Sequence, residues 1–173
     1  MTRFNLRPGA RVFSGACCLA LGAFLIGCSS PPKPATAPQN PVSIEKLNLL
    51  AAPIALNLDG LPGGDAVAVK IYATNARGAK PVPITSGTID LLAFEGVLVN
   101  ATNSPQPFKI WTYSASELRR LQFQSSIGTG YAITASFTGL KPKADKLSIV
   151  ARYRPDPARA IYSSPSTISL TAN

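Results

Sequence analysis

The chain contains no histidine, and none of its three cysteines lies beyond residue 28. Residues 29–173 therefore cannot assemble a Ser-His-Asp or Cys-His nucleophile, nor a zinc or iron site built on imidazole or thiolate. The same stretch has no thiol for a disulfide bond. Carboxylates are scarce as well: 8 acidic residues stand against 17 Lys and Arg, and none precedes Glu45. They are scattered over separate segments, so spacing alone sets up no carboxylate pair for acid–base chemistry. The composition predicts a protein that is not an enzyme and carries no cofactor.

What is present changes character along the chain. Arg3, Arg7 and Arg11 lead into Val12–Gly27, "VFSGACCLALGAFLIG", whose side chains are apolar or small. A basic start, a short apolar run and small residues at its end are the layout of a secretory signal. Its 16 residues fall short of the roughly 20 that span a bilayer as a helix. The segment Ser29–Pro41, "SSPPKPATAPQNP", holds five prolines and almost no apolar side chain. Such a stretch favours extended polyproline geometry and reaches roughly 40 Å at about 3.1 Å per residue.

Where signal and tether meet stands Leu25-Ile26-Gly27-Cys28, which resembles the lipobox of bacterial lipoproteins. The resemblance implies cleavage before Cys28, a diacylglyceryl group on its thiol and an acylated amine. Cys28 then becomes the first residue of a chain held on a membrane by its lipid. Two or three acyl chains hold a protein stably on a bilayer, where one does not. Ser29 at the next position, rather than aspartate, is what lipoproteins of the outer membrane tend to show. The expected organisation is a signal peptide over 1–27, an acylated cysteine and tether over 28–42, and one domain over 43–173.

Three of the basic residues precede residue 28, which leaves 14 against 8 acidic ones in the remainder. Most alternate with apolar positions, and the one dense patch is Lys141, Lys143 and Lys146 in "KPKADK". Such a surface suits anionic headgroups or an acidic wall polymer as well as plain solvation. The expected envelope location sets nucleic acid aside as a partner.

Period two dominates the domain. Val67, Val69 and Ile71 alternate with Lys70 and Tyr72, Ile89, Leu91 and Ala93 with Leu92 and Phe94, and Phe108 and Ile110 with Trp111 and Tyr113. Tyr131, Ile133, Ala135 and Phe137 share a face, as do Leu147, Ile149, Ala151 and Tyr153. Each pattern is that of a strand with a buried face. Pro53 and Pro165 mark edges or breaks in two further candidates. Ser114-Ala115-Ser116-Glu117 fits a capping box and predicts one short helix through "LRRLQ". Seven to eight short strands with this helix predict an all-β antiparallel sandwich, immunoglobulin-like or transthyretin-like in topology.

Few residues stand out as site candidates. Asn57, Asp59 and Asp65 offer oxygen ligands on the glycine-rich "NLDGLPGGD". A calcium site takes six or more oxygens, so the favoured reading is a turn whose side chains cap local backbone groups, with no metal. Trp111 and Tyr113 share one strand face, where they serve either as ligand-facing rings for a sugar or peptide or as core. Glu117 with Arg119 and Arg120 reads as a helix cap with a solvated face. Arg152 and Arg154 form a basic rung along one strand.

"DGLPGGDAVAVKIY", "IWTYSASELRR", "GYAI" and "LSIVARYRP" give residues 47–155 a resemblance to small β-sandwich lipoproteins of bacterial envelopes. More distantly the chain is similar to the outer-membrane lipoprotein of type VI secretion systems, through an "LN…G.P…V.V..Y" opening strand and the closing "VARYR". Beyond Cys28, neither likeness implies a role for a particular residue. The expectation is a non-catalytic binding or assembly module with an envelope protein partner. The alternatives are a structural subunit of a secretion system, and a glycan or wall-polymer binder that exposes Trp111 and Tyr113.

Overall fold

A computed structural model describes residues 43–76, 78, 80–99 and 105–171. The signal segment, Cys28 and the proline-rich tether lie outside the described residues. The elements in chain order are β1 (Lys46–Ala51), β2 (Ala66–Thr74), β3 (Thr88–Glu95), β4 (Lys109–Ser114), α1 (Ala115–Arg120), β5 (Gln122–Ser125), β6 (Gly128–Ser136), β7 (Lys146–Asp156), β8 (Arg159–Tyr162) and β9 (Ser166–Ser169).

The strands form two sheets, ordered β1-β2-β6-β5 and β4-β3-β7-β8, with β9 on the same side of β7 as β8. All the ladders are antiparallel. The molecule is an all-β sandwich. Its order is the A-B-E-D over C′-C-F-G arrangement of immunoglobulin-type sandwiches, which settles the topology the strand pattern left open. Residues 53–56 leave β1 and cross to the other sheet. The Ser169 N–H donates to the Pro53 carbonyl at 2.9 Å, and the Ala55 N–H to the Ser169 carbonyl at 2.8 Å.

Alternation dictates the core. Val67, Val69, Ile71 and Ala73 of β2, with Tyr131, Ile133 and Ala135 of β6, belong to the same buried cluster as Ile89, Leu91 and Ala93 of β3. Leu147, Ile149, Ala151 and Tyr153 of β7 complete it. Burial of each large side chain there is worth about 1.5–3 kcal/mol. Like Tyr153, whose hydroxyl donates to the Ser86 carbonyl at 3.2 Å, Tyr131 carries a hydroxyl that must find a partner among apolar neighbours. It accepts the Ile84 N–H at 2.6 Å, and burial pushes its pKa up. Tyr131→Phe orphans that buried N–H and is expected to cost about 1–3 kcal/mol in urea unfolding. A loss below about 0.5 kcal/mol would mean that Ile84 finds another acceptor.

A second, smaller cluster lies on the outer face of the second sheet. Leu92 and Phe94 of β3 and Val150 of β7 are buried there beneath Leu98. The buried Ser148 hydroxyl fixes this strap by donating to the Gly96 carbonyl and accepting the Leu98 N–H, each at 2.8 Å. An outward hydroxyl thus does for the strap what a ladder does for a strand.

Two expectations need correction. Among the described residues the count is nine strands rather than seven to eight, in part because "AIYSSPSTISL" breaks at Pro165 into β8 and β9. Helix α1 stops at Arg120, and Gln122–Ser125 instead pairs with β6. Residues 82–85, between β2 and β3, join none of the described ladders, although the Val82 N–H donates to the Ala73 carbonyl and Ile84 is buried. The capping box is present as read: the Ser114 N–H donates to Glu117 Oε2 at 2.7 Å and the Glu117 N–H to Ser114 Oγ at 3.3 Å. The Ser114 hydroxyl and N–H hold the Glu117 carboxyl below its ordinary value.

Candidate binding surface

The glycine-rich loop spends its oxygens on itself. Asn57 Oδ1 accepts the Gly60 N–H at 2.8 Å and Asp59 Oδ1 the Leu61 N–H at 2.9 Å. Asp65 Oδ1 accepts the Leu58 N–H at 2.7 Å, and Oδ2 the Thr138 hydroxyl at 2.9 Å. The bond from Leu58 contributes most to lowering the pKa of Asp65. These are turn-capping contacts. Among the described residues no three His, Cys, Asp or Glu side chains stand where they could hold a metal ion.

Trp111 and Tyr113 are half-buried on the inner face of β4, with their rings against the main core. The Trp111 indole N–H donates to the Ser136 carbonyl at 2.8 Å and so ties β4 of one sheet to β6 of the other. Burial raises the Tyr113 pKa, with the Glu117 charge acting in the same direction. Both rings therefore lend much of their surface to packing rather than to solvent.

The outer face of the second sheet carries the most organised polar group. In register across three strands stand Thr112 of β4, Asp90 of β3 and Arg152 of β7, with Tyr162 of β8 beside Arg152. Asp90 points outward yet is 0 % exposed, because Arg152 and Arg154 fold over it. Its Oδ2 receives Arg152 Nε at 2.9 Å and Nη2 at 2.8 Å. Nε of Arg154 stands 2.8 Å from Oδ2 but points off the line to it, so that arginine's hydrogen bond is made by Nη2, 3.1 Å from Oδ1. The Thr112 hydroxyl donates to Oδ1 at 2.7 Å.

Burial works to raise the Asp90 pKa, but the donations from Thr112, Arg152 and Arg154 outweigh it and hold the carboxyl below its ordinary range. Burial likewise works to lower Arg152, and its bonds to Tyr162 and Asp90 win, keeping the guanidinium firmly charged. Charge-assisted bonds of this kind are roughly twice as strong as neutral ones.

No family model, curated protein or solved structure matches this chain. The surface must therefore be read from its own chemistry. A carboxylate saturated by donors and closed to solvent is poorly placed to move a proton. What it does is fix two guanidiniums side by side on a sheet face. The basic rung of Arg152 and Arg154 was visible in the sequence, whereas Asp90 was not singled out. The signal that points to it is an acid set inside the apolar run "IDLLAF" of β3, where an unpaired charge is costly.

Proposed function

We propose that this chain is a lipid-anchored protein of the bacterial cell envelope, held at the outer membrane through Cys28, whose sandwich is a non-catalytic binding or assembly module. The observation that carries the reading is Leu25-Ile26-Gly27-Cys28 at the end of a signal-like segment, followed directly by the proline-rich tether. Among the described residues the first backbone bond of the sandwich runs from the Glu45 N–H to the Thr74 carbonyl at 2.9 Å. The chain thus enters at the Thr74 end of β2. The nine residues of β2 place the glycine-rich loop about 26 Å away at the other end.

Cys28→Ala removes the only thiol that could take the lipid in this reading. Fractionation of cells expressing it is expected to move the chain from the membrane pellet to the soluble fraction, at least about tenfold relative to wild type. Unchanged sedimentation with membranes would overturn the anchor. The sandwich does not contain Cys28, so its unfolding midpoint should be the same in both chains.

A further inference from the structure

Two guanidiniums meet one carboxylate at Asp90, which leaves the outer face of the second sheet with a surplus positive charge. The side chains of Arg152 and Arg154 remain 25 % and 39 % exposed, so guanidinium N–H groups not spent on Asp90 or, for Arg152, on Tyr162 can be reached from outside. Ile110 and Tyr162, 45 % and 43 % exposed, flank the pair on β4 and β8. Val97 and Val99 stand exposed on the strap beyond Ile110. A charged arginine pair held rigid by a buried acid, with an aromatic and aliphatic collar, is the composition of an interface hot spot.

The chain's other charges narrow the occupant. Asp59, Asp65, Asp90, Glu95, Glu117 and Asp156 all accept hydrogen bonds from the chain's own groups. Among the described residues both ion pairs converge on Asp90. Six of its eight acids are so engaged, and residues 28–173 carry 14 basic side chains against 8 acidic ones, so a second copy of the chain is itself net positive and a poor match for this face. The apolar collar suits a polypeptide better than a bare phosphate, which would gain nothing from Ile110 and Tyr162.

We propose that the Arg152–Arg154 face docks an acidic segment of another envelope protein, whose Asp or Glu carboxylate takes the outward guanidinium N–H groups. The bidentate fit of guanidinium to carboxylate supplies the geometry, and the collar excludes water around it. The proposal rests on the envelope reading above for the partner's location, while the contact chemistry is independent of the anchor.

The test places a photoreactive amino acid at position 162 or 110 of the full chain in cells, with position 134 on the outer face of the other sheet as control. Crosslinked peptides are identified by mass spectrometry, with and without Arg154→Gln, which leaves the Arg152–Asp90 pair in place. The expected result is a crosslink from 162 or 110 to an acidic segment of one protein, reduced at least tenfold by Arg154→Gln and missing from 134. Adducts on lipid or wall polymer, on a neutral or basic peptide, on a second copy, or none at all would overturn the docking proposal. An unchanged yield in Arg154→Gln would do the same. Fractionation of the same cells separates the two readings. A chain found with membranes but crosslinking to nothing keeps the anchor and loses the docking site.

Discussion

Asp90→Ala is expected to lower the unfolding free energy by about 2–3 kcal/mol, a fall of roughly 10 °C in Tm for a domain of this size. Removing one member of a fully buried ion pair costs about 3–5 kcal/mol. Here the two arginines are partly exposed and can swing toward water, which reduces the penalty. What remains is the loss of several charge-assisted bonds, an unpaired Thr112 hydroxyl and two guanidiniums facing each other. The pH dependence gives a second check. The folded pKa of Asp90 is depressed, so its contribution is fully present above the unfolded value near 3.9 and is lost as pH falls through the folded value. Urea unfolding at pH 7 and at pH 3 should show the gap between wild type and Asp90→Ala narrowing in acid. A loss under about 1 kcal/mol at pH 7, or a gap that does not narrow, would mean that the clamp contributes little. With no histidine in the chain, neither protein has a side chain of ordinary pKa titrating between about pH 5 and 8.

Gly87→Ala is expected to cost about 2–4 kcal/mol, from an exposed-looking turn rather than from the core. Gly87 has φ +76°, and a Cβ there would stand 2.3 Å from the Arg154 carbonyl oxygen and 2.9 Å from Pro155 Cα. Those neighbours are backbone and cannot rotate away. The left-handed conformation adds about 1 kcal/mol, and the contact adds about 1–3 kcal/mol through displacement of β7. Gly60→Ala is the control, since Gly60 has φ +74° but nothing within 4 Å of its Cβ position. Its cost should be confined to the conformational part, about 1 kcal/mol. Equal losses in the two variants would show that the contact with β7 relaxes freely. The displaced residue is Arg154, so Gly87→Ala should also shift the amide resonances of 152–154, whereas Gly60→Ala should not.

Much of the fold was legible because period two leaves a mark on every strand with a buried face. The inward sets of β2, β3, β6 and β7 were each recognisable from alternation. So was the capping box at Ser114, whose residues lie within one turn of each other. β5 escaped because "QFQS" holds a single apolar residue, and that residue does not face the core. Phe123 turns outward, where it meets Tyr72 edge-on at 5.9 Å and lies opposite Gly130. The strap over Leu92 and Phe94 was hidden for a related reason. Alternation says that two faces of β3 are apolar, but not that a loop rather than a sheet covers the second one. The Asp90 clamp was the least legible feature. It joins positions 90, 112, 152 and 154 on three strands, and no local spacing reports a register that only sheet assembly creates.

The bridge between residues 53–56 and β9 also sets a timetable. Contacts between chain segments this far apart in sequence make for slow folding, because a long loop must close before they form. A chain that emerges amino end first, from a ribosome or a translocation pore, presents β1 well before β9 can receive Ala55. β1 pairs with β2 on one side only, and its other side is a sheet edge open to pairing with the wrong chain. Lys46 at its start and Pro53 just past its end are the residue types that guard such an edge, one by charge and the other by withholding an N–H. A charge at one end and a proline past the other leave the free side of β1 a poor template for any further strand.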